Sequence, residues 1–249
     1  MRAAISKPTA RDETPALFAG FRTAGFEGLQ LKTGQFMPWI DSPERLLEAT
    51  GGDPGAVATL VYYDELDDGR LSSVIGFAGK VGSEMVVFCH NRSREGVTSE
   101  ERIRLAEQLA EHGRRAAQLG IRLSLHHHYG QPVMLPEDVR EFWGAIEPGV
   151  IGLTVDTGHL VRSGVEDIPG FLREFAPIID NIHLKDVQGD DWCLPGEGEL
   201  DLDLILDTMA EIGYGGWLCI DEESTAPLDE SLRVAGRWLA ERSKRVRQE

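Results

Sequence analysis

The chain has 249 residues, 41% of them hydrophobic, with 28 glycines and 12 prolines. A chain of this size buries about 70–75% of its unfolded surface, so it needs no disulfide or structural metal to fold. Twenty-five basic against 42 acidic residues give a formal charge of −17, which opposes nucleic-acid binding because that rests on Lys and Arg displacing counterions.

Three widely spaced cysteines, Cys89, Cys193 and Cys219, form neither a disulfide ladder nor a CxxC zinc pattern. The opening MRAAISKPTARDE has no signal-type apolar core, and no run approaches the ~18 apolar residues of a membrane span. The expectation is a cytoplasmic protein with no membrane partner.

In chain order, short apolar runs alternate with longer helical patterns. Strands are predicted over Ala3–Ser6, Gly28–Leu31, Val57–Tyr62, Met85–Phe88, Arg122–His126, Gly152–Val155, Asn181–Leu184 and Trp217–Ile220. Helices are predicted over Glu13–Thr23, Pro43–Ala49, Ser99–Leu119, Pro136–Ile146, Ile168–Phe175, Leu202–Ile212 and Leu228–Arg242. The Ser99–Leu119 pattern is the clearest, opening on Ser-x-x-Arg and stopped by Gly120. The third unit, Glu65–Lys80, has the weakest pattern. Eight strand–helix units are the count of a closed (β/α)8 TIM barrel. With no linker or low-complexity tract, residues 1–249 read as one such domain. An open doubly wound sheet would carry a Gly-rich turn after its first strand, and ISKPTARD is not one.

In a barrel the active site lies at the C-terminal strand ends. Six of the seven histidines (His90, His126, His127, His128, His159 and His183) fall at or just past a predicted strand end; only His112 sits inside a helix. That convergence favours a metal or acid–base site. Strand pleating sorts the candidates, since alternate side chains share a face. In LSLHHHYG, Ser124, His126 and His128 face the axis, while Leu123, Leu125 and His127 face the helices, making His127 structural. His183 and Lys185 share the inner face of NIHLKD. Asp156 ends GLTVD, with His159 in the turn beyond. In GWLCIDEES, Trp217, Cys219, Asp221 and Glu223 share one face and Glu222 takes the other.

Successive strand ends thus offer His, Asp, His and a final Asp or Glu. Such a mixed set suits one divalent ion of the Mn, Co, Fe or Zn kind better than Ca, which prefers oxygen shells. The blander alternative makes Asp156 a helix cap and His183 a satisfied rim histidine.

The segments GLTVDTGHL, NIHLKDV, LPGEGELDLDLIL and GYGGWLCIDEES resemble the xylose isomerase-like barrel superfamily. That group holds sugar isomerases, keto-sugar 3-epimerases, inosose dehydratases and apurinic endonucleases. The motifs cover the C-terminal half; the N-terminal half matches only as a β/α rhythm. The resemblance implies a (β/α)8 barrel with one divalent metal. It carries the ligand roles to Asp156, His183 and, through the Tyr-x-Gly-aromatic register, Asp221, where relatives usually show Glu; Glu222 and Glu223 stay open. His126 stands where most isomerases and epimerases read the Glu of Leu-Glu-Asn-His. A His-His-His run at that place is similar to the inosose dehydratases.

The implied chemistry is proton abstraction next to the carbonyl of a keto-sugar or keto-cyclitol, followed by β-elimination of water or a glycoside. With His126 as a ligand, His128 is the expected base. Lys185 would hold a developing oxyanion, and Glu197 would bind hydroxyls or protonate the leaving one. His159, His90 and Glu223 are the expected substrate contacts. Trp39, Tyr62 and Tyr63 lie near early strand ends, where they could stack on a sugar or simply pack. Lys7, Lys32 and Arg92 admit a phosphorylated substrate, but no Gly-rich cradle is visible, so an unphosphorylated carbohydrate is expected.

Three rivals stand beside this reading. Isomerisation or epimerisation shares the first step. A non-catalytic or partner-dependent barrel subunit is permitted by the missing glutamate. An apurinic endonuclease is the third: the chain resembles that family in Asp156-x-x-His159 and Gly196-Glu197-Gly198, but it lacks the family's further Asp-x-His pair, and its charge of −17 opposes DNA. Homo-oligomer formation is common for barrels, yet the sequence gives no interface signal.

Overall fold

Apolar side chains on one face of each short parallel strand and polar ones on the other are both buried when the sheet closes on itself inside a ring of helices. The computed structural model, which describes residues 1–242 together with Lys244 and Val246, closes in that way. Residues 243, 245 and 247–249 of the expected 1–249 unit lie outside the described residues. The strands are β1 (Arg2–Ser6), β2 (Gly28–Lys32), β3 (Thr59–Asp64), β4 (Met85–His90), β5 (Arg122–His126), β6 (Gly152–Asp156), β7 (Ile179–Leu184), β8 (Asp186–Gln188), β9 (Asp191–Cys193) and β10 (Trp217–Asp221). All but β8 and β9 form a closed parallel barrel, with β10 pairing β1 and β7. The chain is therefore the (β/α)8 barrel that its periodicity predicts.

Outward residues such as Leu29, Leu60, Phe88, Leu125, Val155 and Ile220 join one large apolar core with the helices. Inside the barrel the described residues form two small apolar groups, Ala4–Ala58–Trp217–Cys219 and Val61–Met85–Val87. The remaining interior is polar, and its polarity rises toward the C-terminal ends. Gly152 is required where β6 begins, because a Cβ there would stand 1.6 Å from Asp180 Oδ2.

Several boundaries differ from expectation for identifiable reasons. The third unit is a regular helix, Asp68–Val81, capped by Asp67 and ended by Gly82 at φ +79. Strand β3 starts two residues late because Asp53 caps a 3-10 turn over Pro54–Val57. The long helix Ser99–Gln118 is capped by Thr98 rather than Ser99, through a capping box with Glu101. The β8–β9 hairpin, inserted after β7, turns on Gly189-Asp190 with Gly189 at φ +58, a two-residue hairpin signal in DVQGDDWC that went unread because the flanking strands are only three residues long.

Candidate metal and substrate site

The ends of β5, β6, β7 and β10 converge on Asp156. Its Oδ2 lies 3.4 Å from His126 Nε2 and 3.5 Å from His183 Nδ1. Asp221 closes the far side, its Oδ2 standing 3.8 Å from His183 Nδ1. All four side chains are buried. Yet His126 Nε2, Asp156 Oδ2 and His183 Nδ1 have no hydrogen-bond partner among the described residues, a costly condition for buried polar atoms.

Two overlapping sets of donor atoms meet there, His126–Asp156–His159 and Asp156–His183–Asp221. Ligands on a tetrahedral ion with bonds of 2.0–2.2 Å stand about 3.3–3.6 Å apart, close to the separations around Asp156. By donor type, spacing and unmet hydrogen bonding, His126, Asp156, His183 and Asp221 fit a divalent ion.

Asp156 also caps a helix. Its Oδ1 accepts the backbone N–H of His159 at 2.9 Å, opening the short helix Thr157–Arg162. The two carboxylate oxygens are thus divided between the fold and the centre, and capping does not compete with the inward role.

The centre sets two ammonium groups against three carboxylates. Lys185 Nζ lies 2.8 Å from Asp221 Oδ2, 2.7 Å from Glu223 Oε2 and 3.6 Å from Asp156 Oδ2. Lys32 Nζ donates to Asp221 Oδ1 at 2.6 Å and Glu223 Oε1 at 2.8 Å. Burial pushes the Asp156 carboxyl up, but Lys185 and the neighbouring imidazoles overcome it and hold it well below the usual carboxylate range. Asp221 is held low in the same way by Lys185 and Lys32. Burial pulls both ammonium groups down, and the facing carboxylates more than reverse it, so both stay protonated.

Burial instead dominates the imidazoles. His126 is held well below its ordinary value, with Cys89 Sγ 3.7 Å from its Nδ1. His159 is pulled down to about 2, and its Nε2 stands 4.0 Å from Asp156 Oδ2. Strand β5 ends at His126, so His128 lies in the turn beyond, half-buried, with its ring 3.7 Å from that of His159. Its Nδ1 faces the Tyr129 carbonyl at 2.7 Å. A carbonyl only accepts, so Nδ1 carries the proton and Nε2 is the basic nitrogen. Trp192, from the hairpin, lies 5.3 Å from the His159 ring and 4.7 Å from Lys185 Nζ.

Other sequence candidates lie elsewhere. His90 falls on the outward register of β4, stacks edge-on against Phe88 and accepts the Arg92 N–H at 2.9 Å. It lines a separate hollow of about 410 Å³ with Glu65, Arg92 and Arg104. Glu197 is exposed in a different hollow of about 460 Å³ beside Trp192, Cys193 and Glu230. Glu223 is at the centre, tied to both lysines. Tyr62 faces outward and donates to Asp64 at 2.7 Å, and Trp39 packs on the outer core. Lys7 and Arg92 are paired with Glu222 and Glu101, and Lys32 is paired as above, so none of the three is a free phosphate ligand.

Two residues at the centre, Lys32 and Gln30, escaped the sequence analysis as members of the constellation. The signal was present, since Gln30 and Lys32 alternate with Leu29 and Leu31 in GLQLK and must point inward. Asp186 was also missed. Its carboxylate accepts the backbone N–H groups of Val187, Gly196, Gly198 and Leu200, so the PGEG segment is shaped by Asp186.

Comparison with known proteins places the chain in a family. The inosose dehydratase of Clostridium tetani (strain Massachusetts / E88) is 29% identical over 169 residues, covering 59% of this chain and 56% of that enzyme. The chain thus spans about half the length of such curated relatives. The 3-keto-D-glucoside 4-epimerase of E. coli superposes with a TM-score of 0.79 at 14% identity, covering 97% of this chain and 100% of that one. A zinc-bound IolI protein superposes at 0.77 and 16% identity, covering 100% and 99%. At those identities the two structures speak for the fold. Residues 21–242 match the family described as xylose isomerase-like TIM barrel, and the chain belongs to that family.

Proposed function

We propose that the protein is a divalent-metal-dependent enzyme that removes a proton next to the carbonyl of a keto-sugar or keto-cyclitol and expels the β-hydroxyl as water. The observation that carries this is the convergence of three buried, unpartnered donor atoms (His126 Nε2, Asp156 Oδ2 and His183 Nδ1) at a barrel rim, with a basic histidine nitrogen beside them. His126, Asp156, His183 and Asp221 would hold the ion. When bound, a divalent ion polarises a carbonyl and stabilises the charge that develops on its oxygen.

The chain's own residues supply the rest. His128 Nε2 accepts the proton from carbon, and the ring's Nδ1–H bond to Tyr129 keeps it in the basic tautomer. His159 packs against His128 and fixes its ring plane. Lys185, cationic and buried, faces the developing oxyanion. Glu223 holds Lys185 and Lys32 together at the mouth, where its own side chain is 25% exposed. As the C–H electrons form the new C=C bond, the β C–O bond breaks, and the hydroxyl leaves as water with the proton that His128 took from carbon, which returns the imidazole to its neutral form. Glu197, exposed beside Trp192, belongs to the outer wall and contacts a substrate extending that way.

The similarity to inosose dehydratases over about half their length and the histidine at position 126 both favour elimination over epimerisation. Proton NMR in deuterated water with 2-keto-inositol and candidate keto-sugars tests this. Elimination releases water and produces an enone. Deuterium incorporation without water loss would reassign the protein to epimerisation.

A further inference from the structure

Beneath the candidate centre, the barrel axis holds a continuous string of buried amides and hydroxyls. Gln30 reaches across from β2 to β7, its Nε2 2.5 Å from His183 Nε2. Its Oε1 receives Thr59 Oγ1 and Asn181 Nδ2, each at 3.1 Å. Asn181 Nδ2 also lies 3.3 Å from Thr154 Oγ1, which pairs with Ser124 Oγ at 2.7 Å. Gln30, Thr59, Asn181, Thr154 and Ser124 are all at most 1% exposed, so the string is shielded from bulk solvent.

A neutral imidazole carries one proton, and the string decides where it sits. With the Gln30 NH2 toward His183, Nε2 must accept and the proton is on Nδ1. That Nδ1–H then points at Asp156 Oδ2 and Asp221 Oδ2, 3.5 and 3.8 Å away. An ion taken by Nδ1 requires the other tautomer, with the proton on Nε2 and an oxygen facing it. Half-turns of the Gln30 and Asn181 amides supply that oxygen without moving the backbone. Gln30 Oε1 then accepts from His183, while its NH2 donates to Thr59 Oγ1 and to the turned Asn181 Oδ1. The Thr59 hydroxyl serves in either direction, while Ser124 Oγ donates to Asp180 Oδ1 at 2.6 Å and so takes the Thr154 proton in both arrangements, leaving the turned Asn181 oxygen to the Gln30 amide.

We propose that Gln30 is a positioning residue that sets the tautomer of His183 and through it the ion affinity of the centre. The inference rests on His183 being a ligand, as proposed above. A carboxylate in place of Gln30 could only accept, and a hydrocarbon could do neither. A glutamine satisfies His183 both with and without the ion. Loss of the partner that holds a ligating histidine's second nitrogen typically costs 10–100-fold in metal affinity.

The test is calorimetric titration of Zn2+ into the metal-stripped wild type, Gln30→Leu and Gln30→Glu, with 15N NMR of the histidine rings before and after loading. The expected result is zinc binding 10–100-fold weaker in Gln30→Leu and recovered in Gln30→Glu. The His183 proton should move from Nδ1 to Nε2 when zinc binds the wild type. Wild-type affinity in a folded Gln30→Leu variant, or affinity in Gln30→Glu as poor as in Gln30→Leu, would overturn the role of Gln30 while leaving the metal centre standing. A wild type that binds no zinc would overturn both. Should Gln30→Leu not fold, the wild-type spectra decide: a His183 that keeps its Nδ1 proton in the zinc-loaded protein contradicts the proposal.

Discussion

The backbone N–H of Asp156 donates to His127 Nε2 at 2.9 Å, so the middle histidine of the His-His-His run anchors the strand end that carries the central carboxylate. His127 is fully buried, with its ring 5.8 Å from that of Phe171. The hydrogen bond requires Nε2 to be unprotonated, and burial holds this imidazole down to about 4 from an ordinary 6.5.

A pH dependence follows. The folded value lies below the unfolded one, so the unfolded chain takes up the proton first. The stability contributed by His127 is complete above pH 6.5 and is lost as pH falls toward 4, by up to about 3 kcal/mol. Denaturant unfolding of the wild type and His127→Gln between pH 4 and 7.5 should show a shallower acid loss in the variant. Parallel curves would contradict the assignment.

Lys185 separates ion binding from catalysis. Its ammonium lies against Asp156, Asp221 and Glu223, so Lys185→Met leaves buried carboxylates short of a cation. The metal-free variant should lose about 3–5 kcal/mol, and a divalent ion should restore much of it, because the ion then supplies the missing charge. Turnover should fall about 100-fold or more even when loaded, since the oxyanion partner is gone. Thermal melts with and without Mn2+ or Zn2+, beside initial rates, measure both. A melting temperature equally low with and without the ion would argue against an ion at these carboxylates.

The proposed base makes a kinetic prediction. Burial lowers His128 below its ordinary value, so kcat/KM should hold its plateau to a pH below 6.5 and fall only on further acidification. His128→Gln should lose about 10²–10⁴-fold in kcat with ion affinity retained. An acid limb unchanged in position in that variant would show that another group takes the proton.

Much of this arrangement is legible in the sequence, and its limits are physical. Alternation along LSLHHHYG is enough to turn His126 inward and His127 outward, because a pleated strand leaves no choice. The inference does not extend to His128, two residues past the strand: it shares the parity of His126 but lies beyond the sheet, where parity says nothing about direction. His90 shows the same weakness from the other side, since a strand-end position alone does not reveal that its register points to the helices. Glu197 was drawn toward the site by its motif, whereas the loop's geometry is imposed by Asp186, twelve residues from Gly198 in sequence. Long-range pairings such as Lys32 with Asp221, and Gln30 with His183, depend on barrel closure and leave no mark on either segment alone.

Asp186 accordingly carries a structural prediction. Its carboxylate gathers four backbone N–H groups, and a Cβ at Gly198 would stand 2.2 Å from its Oδ1. Asp186→Ala should destabilise the fold by about 2–3 kcal/mol and open residues 194–200 to limited proteolysis while leaving ion stoichiometry intact. Unchanged protease resistance would argue against the clamp.

The central claim is tested most directly by elemental analysis of the purified protein and of His183→Ala, paired with proton NMR of 2-keto-inositol and keto-sugars in deuterated water. The account predicts about one divalent ion per chain, lost in the variant, and loss of the proton next to the carbonyl accompanied by release of water. A protein with no bound ion, or one with its ion but no exchange or elimination on any of these ketones, would contradict it.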